Sequence, residues 1–257
     1  MTFGGSSAEN SAAEPLEHPR LLTHPAAGCP GGEDDVTLAD LNTLLTARHS
    51  CRAFRPDPVP RGDIEQIVAS ASRVPSWCNA QPWQLVITSG DETDRFRDAM
   101  SNEARNGTPA PDLPFPVSYS GVYQDRRRTC GWALYSAVGI ERGDREGSAQ
   151  QMMQNFALFG APHCAIISSP AELGPYGAMD CGGFVTAFAL AAQALGVATI
   201  PQAALAAYSP FLHQYFQIPD DRLILCAISF GYSDTDHPAN SFRTERAALG
   251  DFVDWRG

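Results

Sequence analysis

Two arginines and a serine at two-residue spacing, Arg48, Ser50 and Arg52, constrain this chain more than any other stretch. Two guanidinium groups and a hydroxyl this close together suit an anion with several oxygens, above all a phosphate. Apolar residues at helical spacing predict a helix over residues 36–47, which ends directly before Arg48. The segment therefore predicts an anion site beside a helix end.

Further signals follow within the next forty residues. Three prolines at positions 56, 58 and 60 predict a turn, and Ile64, Ile67, Val68 and Ala71 share one face of a predicted helix over residues 61–73. Pro75-Ser76 ends that helix, because the residue before a proline avoids the helical region. The cluster Trp-Cys-Asn-Ala-Gln-Pro-Trp occupies residues 77–83, and a strand is predicted over residues 84–88.

This order of motifs resembles the opening of the FMN-dependent nitroreductase family. The motifs are Arg-x-Ser-x-Arg, Pro-Val-Pro, an amphipathic helix, Pro-Ser, Asn-x-Gln-Pro-Trp and a strand. Two later stretches are similar to the same family: Ile200-Pro201-Gln202 after Ala-Leu-Gly-Val, and Phe-Gly-Tyr-Ser-Asp at 230–234 followed by Asn240 and Arg243–Arg246. The resemblance runs from about residue 40 to residue 255, and residues 101–150 match only the longer-insert branch.

The resemblance implies hydride transfer from NAD(P)H to FMN and then from FMN to a nitroaromatic or quinone-like acceptor. It implies that Arg48, Ser50, Arg246 and Arg243 hold the phosphate, with His49 beside them. Arg52 is expected at the N1/O2 edge of the flavin, where a cation favours the negative charge of the reduced ring. Because these acceptors take protons from solvent, no catalytic acid, catalytic base or metal is expected.

The resemblance also implies contacts with the flavin ring from two loops. The first loop crosses the ring from the partner subunit, and its Asn79 amide is expected to hydrogen-bond the polar edge of the ring. In the second loop, the backbone N–H of Ala203 faces N5. The residues implied to bind FMN are Arg48, His49, Ser50, Arg52, Pro75, Ser76, Trp77, Asn79, Pro201, Gln202, Ala203, Ala204, Arg243 and Arg246. The predicted substrate pocket contains Trp77, Tyr123 and Arg126.

The composition excludes several classes of protein. The net charge of −11 and the pI near 4.9 disfavour nucleic acid and anionic membrane as partners. Seven scattered cysteines without a CxxC pair argue against zinc or a disulfide framework and favour a reduced, cytoplasmic protein. No signal peptide is predicted, and the apolar stretch 181–207 is interpreted as a buried helix because it is short for a bilayer span.

The predicted elements indicate an α+β fold, with a central, mostly antiparallel sheet wrapped by helices. Helices are predicted near residues 129–139, 145–159 and 179–195, with strands at 162–168, 197–200 and 222–230. Residues 1–35 are predicted to form a flexible arm and residues 36–257 the FMN-binding domain, in which 101–150 shape the substrate pocket. The resemblance implies an intertwined homodimer.

Other interpretations stay open. The same fold carries other flavin reactions, such as flavin reduction, dehalogenation or oxidation, and a flavin-binding module without catalysis is a further candidate. A cysteine hydrolase would use Cys78 or the pair His163-Cys164. The Trp77 ring lines the pocket or only packs, and Arg126–Arg128 face substrate or form a solvated helix turn. No Gly-x-Gly-x-x-Gly unit is present, so the choice between NADH and NADPH cannot be read from the sequence.

Overall fold

The computed structural model describes residues 36–257, so the predicted arm over residues 1–35 lies outside the described part of the chain. The helices are α1 Leu38–Ala47, α2 Arg61–Ala71, α3 Asp91–Asn106, α4 Gly121–Ala137, α5 Arg145–Met153, α6 Gly174–Ala194 and α7 Ser209–Phe216. The strands are β1 Gln84–Ser89, β2 His163–Pro170, β3 Ala198–Gln202 and β4 Arg222–Gly231. Each predicted strand is confirmed to within two residues at either end.

The four strands form one sheet in the order β1-β2-β4-β3, and every neighbouring pair is antiparallel. The prediction of an α+β fold with an antiparallel sheet is therefore confirmed. The inner strand β2 is buried along almost its whole length, and residues 164–167 form a continuous apolar run within it. Strands β1 and β3 lie at the two edges, and the outer edge of β3 carries the site described below.

Helices cover both faces of the sheet. On one face α2 and α6 bury Ile67, Phe184 and Phe188 against Ile167 and Phe230. On the other face α3 and α7 pack against the alternate residues of the same strands, in a second cluster. The second cluster includes Phe96, Met100, Leu212, Cys164, Ile166 and Ile224. The alternation of side chains along β2 thus divides the core into two layers.

Two helices begin earlier than predicted. Helix α4 begins at Gly121 rather than near residue 129, and α6 begins at Gly174 rather than near residue 179. The expectation that α6 is buried on every side is wrong for a single chain, since Met179 is 63% exposed and Leu195 is also exposed. One side of α6 therefore remains available to another surface.

The proline-rich segment between α3 and α4 is fastened to the sheet by Asp112. Its carboxylate Oδ2 accepts from the backbone N–H of Ile224 at 2.7 Å and bonds Nε2 of His213 on α7 at 2.9 Å. The other ring nitrogen of His213 lies 3.0 Å from the carbonyl oxygen of Ile218. Because both ring nitrogens face acceptors, the imidazolium, which donates from both, suits this place best.

We expect this ion pair to make stability depend on pH. Burial acts to lower the pKa of His213, but the bonds to Ile218 and Asp112 and the charges of Asp112 and Asp220 outweigh it, and the pKa is raised above its usual 6.5. The stabilisation is therefore complete below about pH 6.5 and is lost as the pH rises through the folded-state value. Urea unfolding of the wild type and His213→Gln between pH 5 and 9 measures this difference, and parallel profiles would contradict it.

Among residues 36–257, no helix is long and apolar enough to cross a membrane. In the same part of the chain, no group of His, Cys, Asp and Glu side chains is arranged to hold a metal ion.

Candidate functional site

The predicted anion site lies along the outer edge of β3. Helix α1 ends at Ala47, and Ser50 then forms a parallel bridge with Thr199 in that strand. The backbone N–H of Cys51 donates to the carbonyl oxygen of Thr199 at 3.0 Å. Because these contacts fix the backbone on both sides of Ser50, Arg48 and Arg52 are held beside the strand edge.

Asn240 joins this segment to the C-terminal part of the chain. Its Oδ1 accepts from the backbone N–H of Arg52 at 2.7 Å, and its Nδ2 donates to the carbonyl oxygens of Ala53 at 2.9 Å and Asp234 at 2.8 Å. The side chain is only 6% exposed. A single buried amide therefore connects two segments 188 residues apart, and Arg243 follows it by three residues.

Four arginines and a histidine come together at this junction. Burial lowers the pKa of Arg48, and the charge of Arg246 lowers it further. The pKa of His49 is lowered by burial and then, against a hydrogen bond to Ala47, by the charges of Arg243, Arg48 and Arg52. The prediction that arginines from distant parts of the chain meet at one place is supported by these mutual effects.

The positive charges of this cluster are not neutralised by carboxylates of the described residues. None of its four arginines takes part in an ion pair within residues 36–257. Where the guanidinium groups form hydrogen bonds, their acceptors are neutral: Arg52 donates to the carbonyl oxygen of Ser50, Arg243 to that of Asn240, and Arg246 to Thr244. Clustered cations without a carboxylate partner among these residues favour binding of an anion, and their fork geometry suits phosphate.

Two buried polar atoms at the cluster also lack partners. Within residues 36–257, Nε2 of His49 and Oγ1 of Thr199 have no hydrogen-bond partner, although both atoms are shielded from solvent. A buried polar atom without a partner costs free energy comparable to a lost hydrogen bond. The His49 ring lies among the arginines, whose charges lower its pKa, so the residues present fit the phosphate group of FMN.

Helix α4 approaches the cluster at Arg52. The guanidinium of Arg52 lies 5.5 Å from the centre of the Phe242 ring, and Cys130 on α4 is close enough to influence the pKa of Arg52, which burial lowers. The predicted pocket residues Arg126 and Tyr123 lie four and seven positions before Cys130 and therefore share its face of the helix. The structure thus places them along the face that approaches Arg52.

The loop over residues 201–204 follows the same strand edge. The amide N–H of Ala203 has no acceptor among the described residues, and the residue is exposed. Along a strand, the backbone groups of every second residue face the same edge. The N–H of residue 203 therefore faces the same outer edge as the carbonyl oxygen of Thr199. Gln202 turns its side chain inward, where Ser229 donates to its Oε1 at 2.6 Å and its Nε2 donates to Asn155. Any contact of Gln202 with a ligand would therefore use its backbone.

The loop carrying Pro75, Ser76, Trp77 and Asn79 lies elsewhere in the chain. The backbone N–H of Trp77 donates to Asp180 near the start of α6, whereas β3 and the arginine cluster follow the end of that helix. A helix advances about 1.5 Å per residue, so the part of α6 after Asp180 spans about 21 Å. One chain therefore does not bring these four residues to the cluster, and their role in the site stays a prediction.

The cysteines do not form a nucleophilic site in the described residues. Burial raises the pKa of Cys164 to about 12, which keeps its thiol protonated near neutral pH. The adjacent His163 is structural, because its Nε2 accepts from the backbone N–H of Val59 at 2.9 Å and its Nδ1 lies 2.9 Å from the hydroxyl of Ser89. No histidine of residues 36–257 hydrogen-bonds Cys78. The geometry therefore gives no support to a cysteine hydrolase.

Sequence reasoning left several contributors to the site without a role. Asn240 was recognised only as part of a C-terminal motif, and Phe242, Cys130 and Thr199 were not singled out. Asn240 could have been noticed because asparagine is typical of turns and it lies in the turn-forming segment that follows the last strand. The other three are recognisable only once the chain is folded.

Comparison with known proteins places these features in context. The profile of the nitroreductase family matches residues 45–232. Nitroreductase NfnB of Mycolicibacterium smegmatis is 32% identical over 81% of this chain and 89% of its own length, and 4-nitrobenzoate reductase of Pseudomonas putida is 30% identical over 85% and 96%. The crystal structure of the FMN-dependent nitroreductase NfnB from Mycobacterium smegmatis in complex with NADPH superposes with a TM-score of 0.82 at 31% identity, covering 86% of this chain and all of that one.

Proposed function

Because this chain belongs to the nitroreductase family, we propose that it is an FMN-dependent oxidoreductase that passes electrons from NAD(P)H to nitroaromatic or quinone-like acceptors by a ping-pong mechanism. The observation that carries the proposal is the cluster of Arg48, Arg52, Arg243 and Arg246 without carboxylate partners in the described residues. Relatives that align over most of the chain are named as nitroreductases, one of them FMN-dependent and crystallised with NADPH.

The proposed roles of the cluster follow from its charges and free donors. Arg48, Arg243 and Arg246 would hold the phosphate of FMN together with the Ser50 hydroxyl. Because Nδ1 of His49 faces the carbonyl oxygen of Ala47, its Nε2 would donate to the phosphate only in the imidazolium form, which the charge of the phosphate favours. Bound FMN supplies the hydride chemistry, as an acceptor from NAD(P)H and a donor to the aromatic acceptor. The chain then has to bind and orient the flavin and its two substrates.

Arg52 and the 201–204 loop are proposed to serve the flavin ring. Arg52 is partly buried and held by its contacts with Ser50 and Phe242, so its positive charge is fixed in place. A fixed cation stabilises negative charge without reorganising during the reaction. The outward N–H of Ala203 is a free donor on the same strand edge, and Pro201 and Ala204 flank it.

We expect replacement of Arg52 with methionine to lower the midpoint potential of the bound flavin. The uncharged side chain keeps the bulk near Phe242 but removes the cation, which disfavours the reduced, anionic state. A loss of about 30 mV corresponds to about 1.4 kcal/mol for a two-electron couple. Spectroscopic redox titration measures the potential, Arg52→Lys is the matched control, and equal potentials in wild type and Arg52→Met would remove the assignment.

A homodimer is proposed to complete the site. Pro75, Ser76, Trp77 and Asn79 lie far from the arginines of their own chain, so a second copy would have to supply them. Apolar side chains are exposed on α1, on α6 and in the C-terminal tail; they include Leu38, Leu41, Leu45, Met179, Leu195, Phe252 and Trp255. Exposed apolar surface of this kind typically marks an interface.

The remaining assignments are also proposals. Residues 101–150 would shape the acceptor pocket, residues 1–35 would form an arm outside the FMN-binding domain of 36–257, and the protein would be cytoplasmic. The formal charge of −11 supports a small molecule rather than nucleic acid as partner.

Absorbance spectroscopy tests the proposal directly. Purified protein should be yellow with the visible absorbance of a flavin, lose this absorbance anaerobically with NADH or NADPH, and regain it when nitrobenzene or benzoquinone is added. Protein without flavin would refute the proposal. If NAD(P)H bleaches the protein but only oxygen reoxidises it, another flavin reaction on this fold is favoured. If neither nucleotide bleaches it, the protein is a flavin-binding module without this activity.

A further inference from the structure

One face of α6 carries the 77–83 segment along its length. Tyr176, Asp180 and Phe184 occupy positions four residues apart and therefore lie in one row on the helix. The Tyr176 ring contacts the Trp77 ring with centroids 4.7 Å apart, Asp180 accepts from the Trp77 backbone N–H at 3.0 Å, and Phe184 stacks on Trp83 at 5.3 Å. These contacts hold the segment at both ends.

The backbone between these contacts is held in an unusual conformation. Cys78, Asn79 and Gln81 have φ values of 49°, 57° and 48°, which lie in the left-handed region that non-glycine residues rarely adopt. The Gln81 backbone N–H donates to the Ser76 hydroxyl at 2.9 Å. Left-handed residues persist where surrounding contacts over-determine them, and they cluster at functional sites.

The outer end of the segment is an exposed aromatic surface. Trp77 is 58% exposed and Tyr176 is 54% exposed, although the two rings contact each other at an angle of 47°. Indole and phenol rings present electron-rich faces. A nitroaromatic or quinone ring is electron-poor, so its charge distribution is complementary to the exposed face of either ring.

Asp180 is a costly residue for support alone. It is buried, at 9% exposure, and forms no ion pair within residues 36–257. An unpaired carboxylate loses solvation on burial, whereas a neutral side chain would fill the same place at lower cost. By accepting from the backbone N–H of Trp77, its carboxylate fixes the backbone that carries the Trp77 ring.

Resting on the function proposed above, we propose that Trp77 and Tyr176 form an aromatic platform that binds the aromatic acceptor and favours it over non-aromatic acceptors. Asp180 is a positioning residue that orients Trp77 within the platform. Tyr176 thereby determines acceptor specificity through its contact with Trp77, in addition to the pocket residues expected from the sequence.

Kinetics with two acceptors test the platform. The ratio of kcat/KM for nitrobenzene to that for ferricyanide should fall about tenfold in Tyr176→Leu, mainly through KM, and stay close to wild type in Tyr176→Phe, which keeps the ring. Tyr215→Leu removes a tyrosine that bonds Glu92 on α3 and is the matched control. An unchanged ratio in Tyr176→Leu with full FMN content would overturn this inference alone; wild-type protein without FMN would overturn the proposed function as well.

A binding measurement tests the platform and Asp180 without turnover. Nitrobenzene should quench tryptophan fluorescence saturably in the wild type, and this saturable part should be lost in Trp77→Phe and weakened at least fivefold in Tyr176→Leu. Asp180→Asn keeps an acceptor oxygen and should behave as wild type, whereas Asp180→Ala should raise both the nitrobenzene KM and the quenching midpoint about fivefold. An Asp180→Ala protein with a lower Tm but unchanged nitrobenzene constants would overturn the positioning role.

Discussion

Arg48→Ala is expected to weaken FMN binding by about tenfold to a hundredfold. A hydrogen bond to a charged group contributes about 1.5–3 kcal/mol, and each 1.4 kcal/mol is a factor of ten in affinity. Arg48 is partly buried and already destabilised by Arg246, so the phosphate would relieve a repulsion as well as gain a contact. Titration of flavin-free protein with FMN, followed by quenching of flavin fluorescence, measures the dissociation constant.

Two further variants isolate the geometry from the charge. Arg48→Lys keeps the charge but loses the planar fork, so its dissociation constant should lie between those of the wild type and Arg48→Ala. Arg61→Ala removes an exposed arginine paired with Glu65 at 2.8 Å and should leave FMN affinity unchanged. If Arg48→Ala binds FMN as the wild type does, the cluster does not hold the phosphate and the proposed function loses its main support.

The N-terminal half of this cluster could be predicted because its signal is local. Arg48, Ser50 and Arg52 lie within five residues, and two-residue spacing places side chains of extended backbone on one side. Arg243 and Arg246 carry no such signal, since they reach Arg48 only after the chain has folded around the sheet. Their place was predicted through family resemblance. The charge of Arg246 lowers the pKa of Arg48 and that of Arg243 lowers the pKa of His49, which agrees with this place.

The starts of two helices were not predicted for identifiable reasons. The predicted helix begins only near residue 179, but proline is favoured in the first turn of a helix, and Pro175 occupies this place in α6. The Gln-Asp-Arg-Arg-Arg run at the start of α4 has no apolar periodicity, because its side chains are largely exposed. Arginine and glutamine have high helix propensity, so this run is helical although it lacks an apolar periodicity.

Asn240→Leu is expected to destabilise the fold and to weaken FMN binding together. Leucine has a similar size but leaves two backbone groups without their partner, the N–H of Arg52 and the carbonyl oxygen of Asp234, whereas the carbonyl oxygen of Ala53 keeps the N–H of Asp234. Unsatisfied buried groups cost about 1–3 kcal/mol each, so we expect a loss of about 3 kcal/mol in total. For a domain of this size that lowers Tm by about 6–12 °C.

The same substitution should reduce FMN affinity even in the fraction that stays folded. Asn240 fixes the segment that presents Arg243 and Arg246, and it also holds the backbone of Arg52. Thermal unfolding followed by circular dichroism gives Tm, and FMN titration at 15 °C keeps the variant folded. Asn102→Leu, which removes an exposed amide that bonds Asn106 on α3, is the matched control and should leave both quantities unchanged. If Asn240→Leu lowers Tm but binds FMN with wild-type affinity, the C-terminal arginines reach the phosphate without this amide, or do not contact it at all.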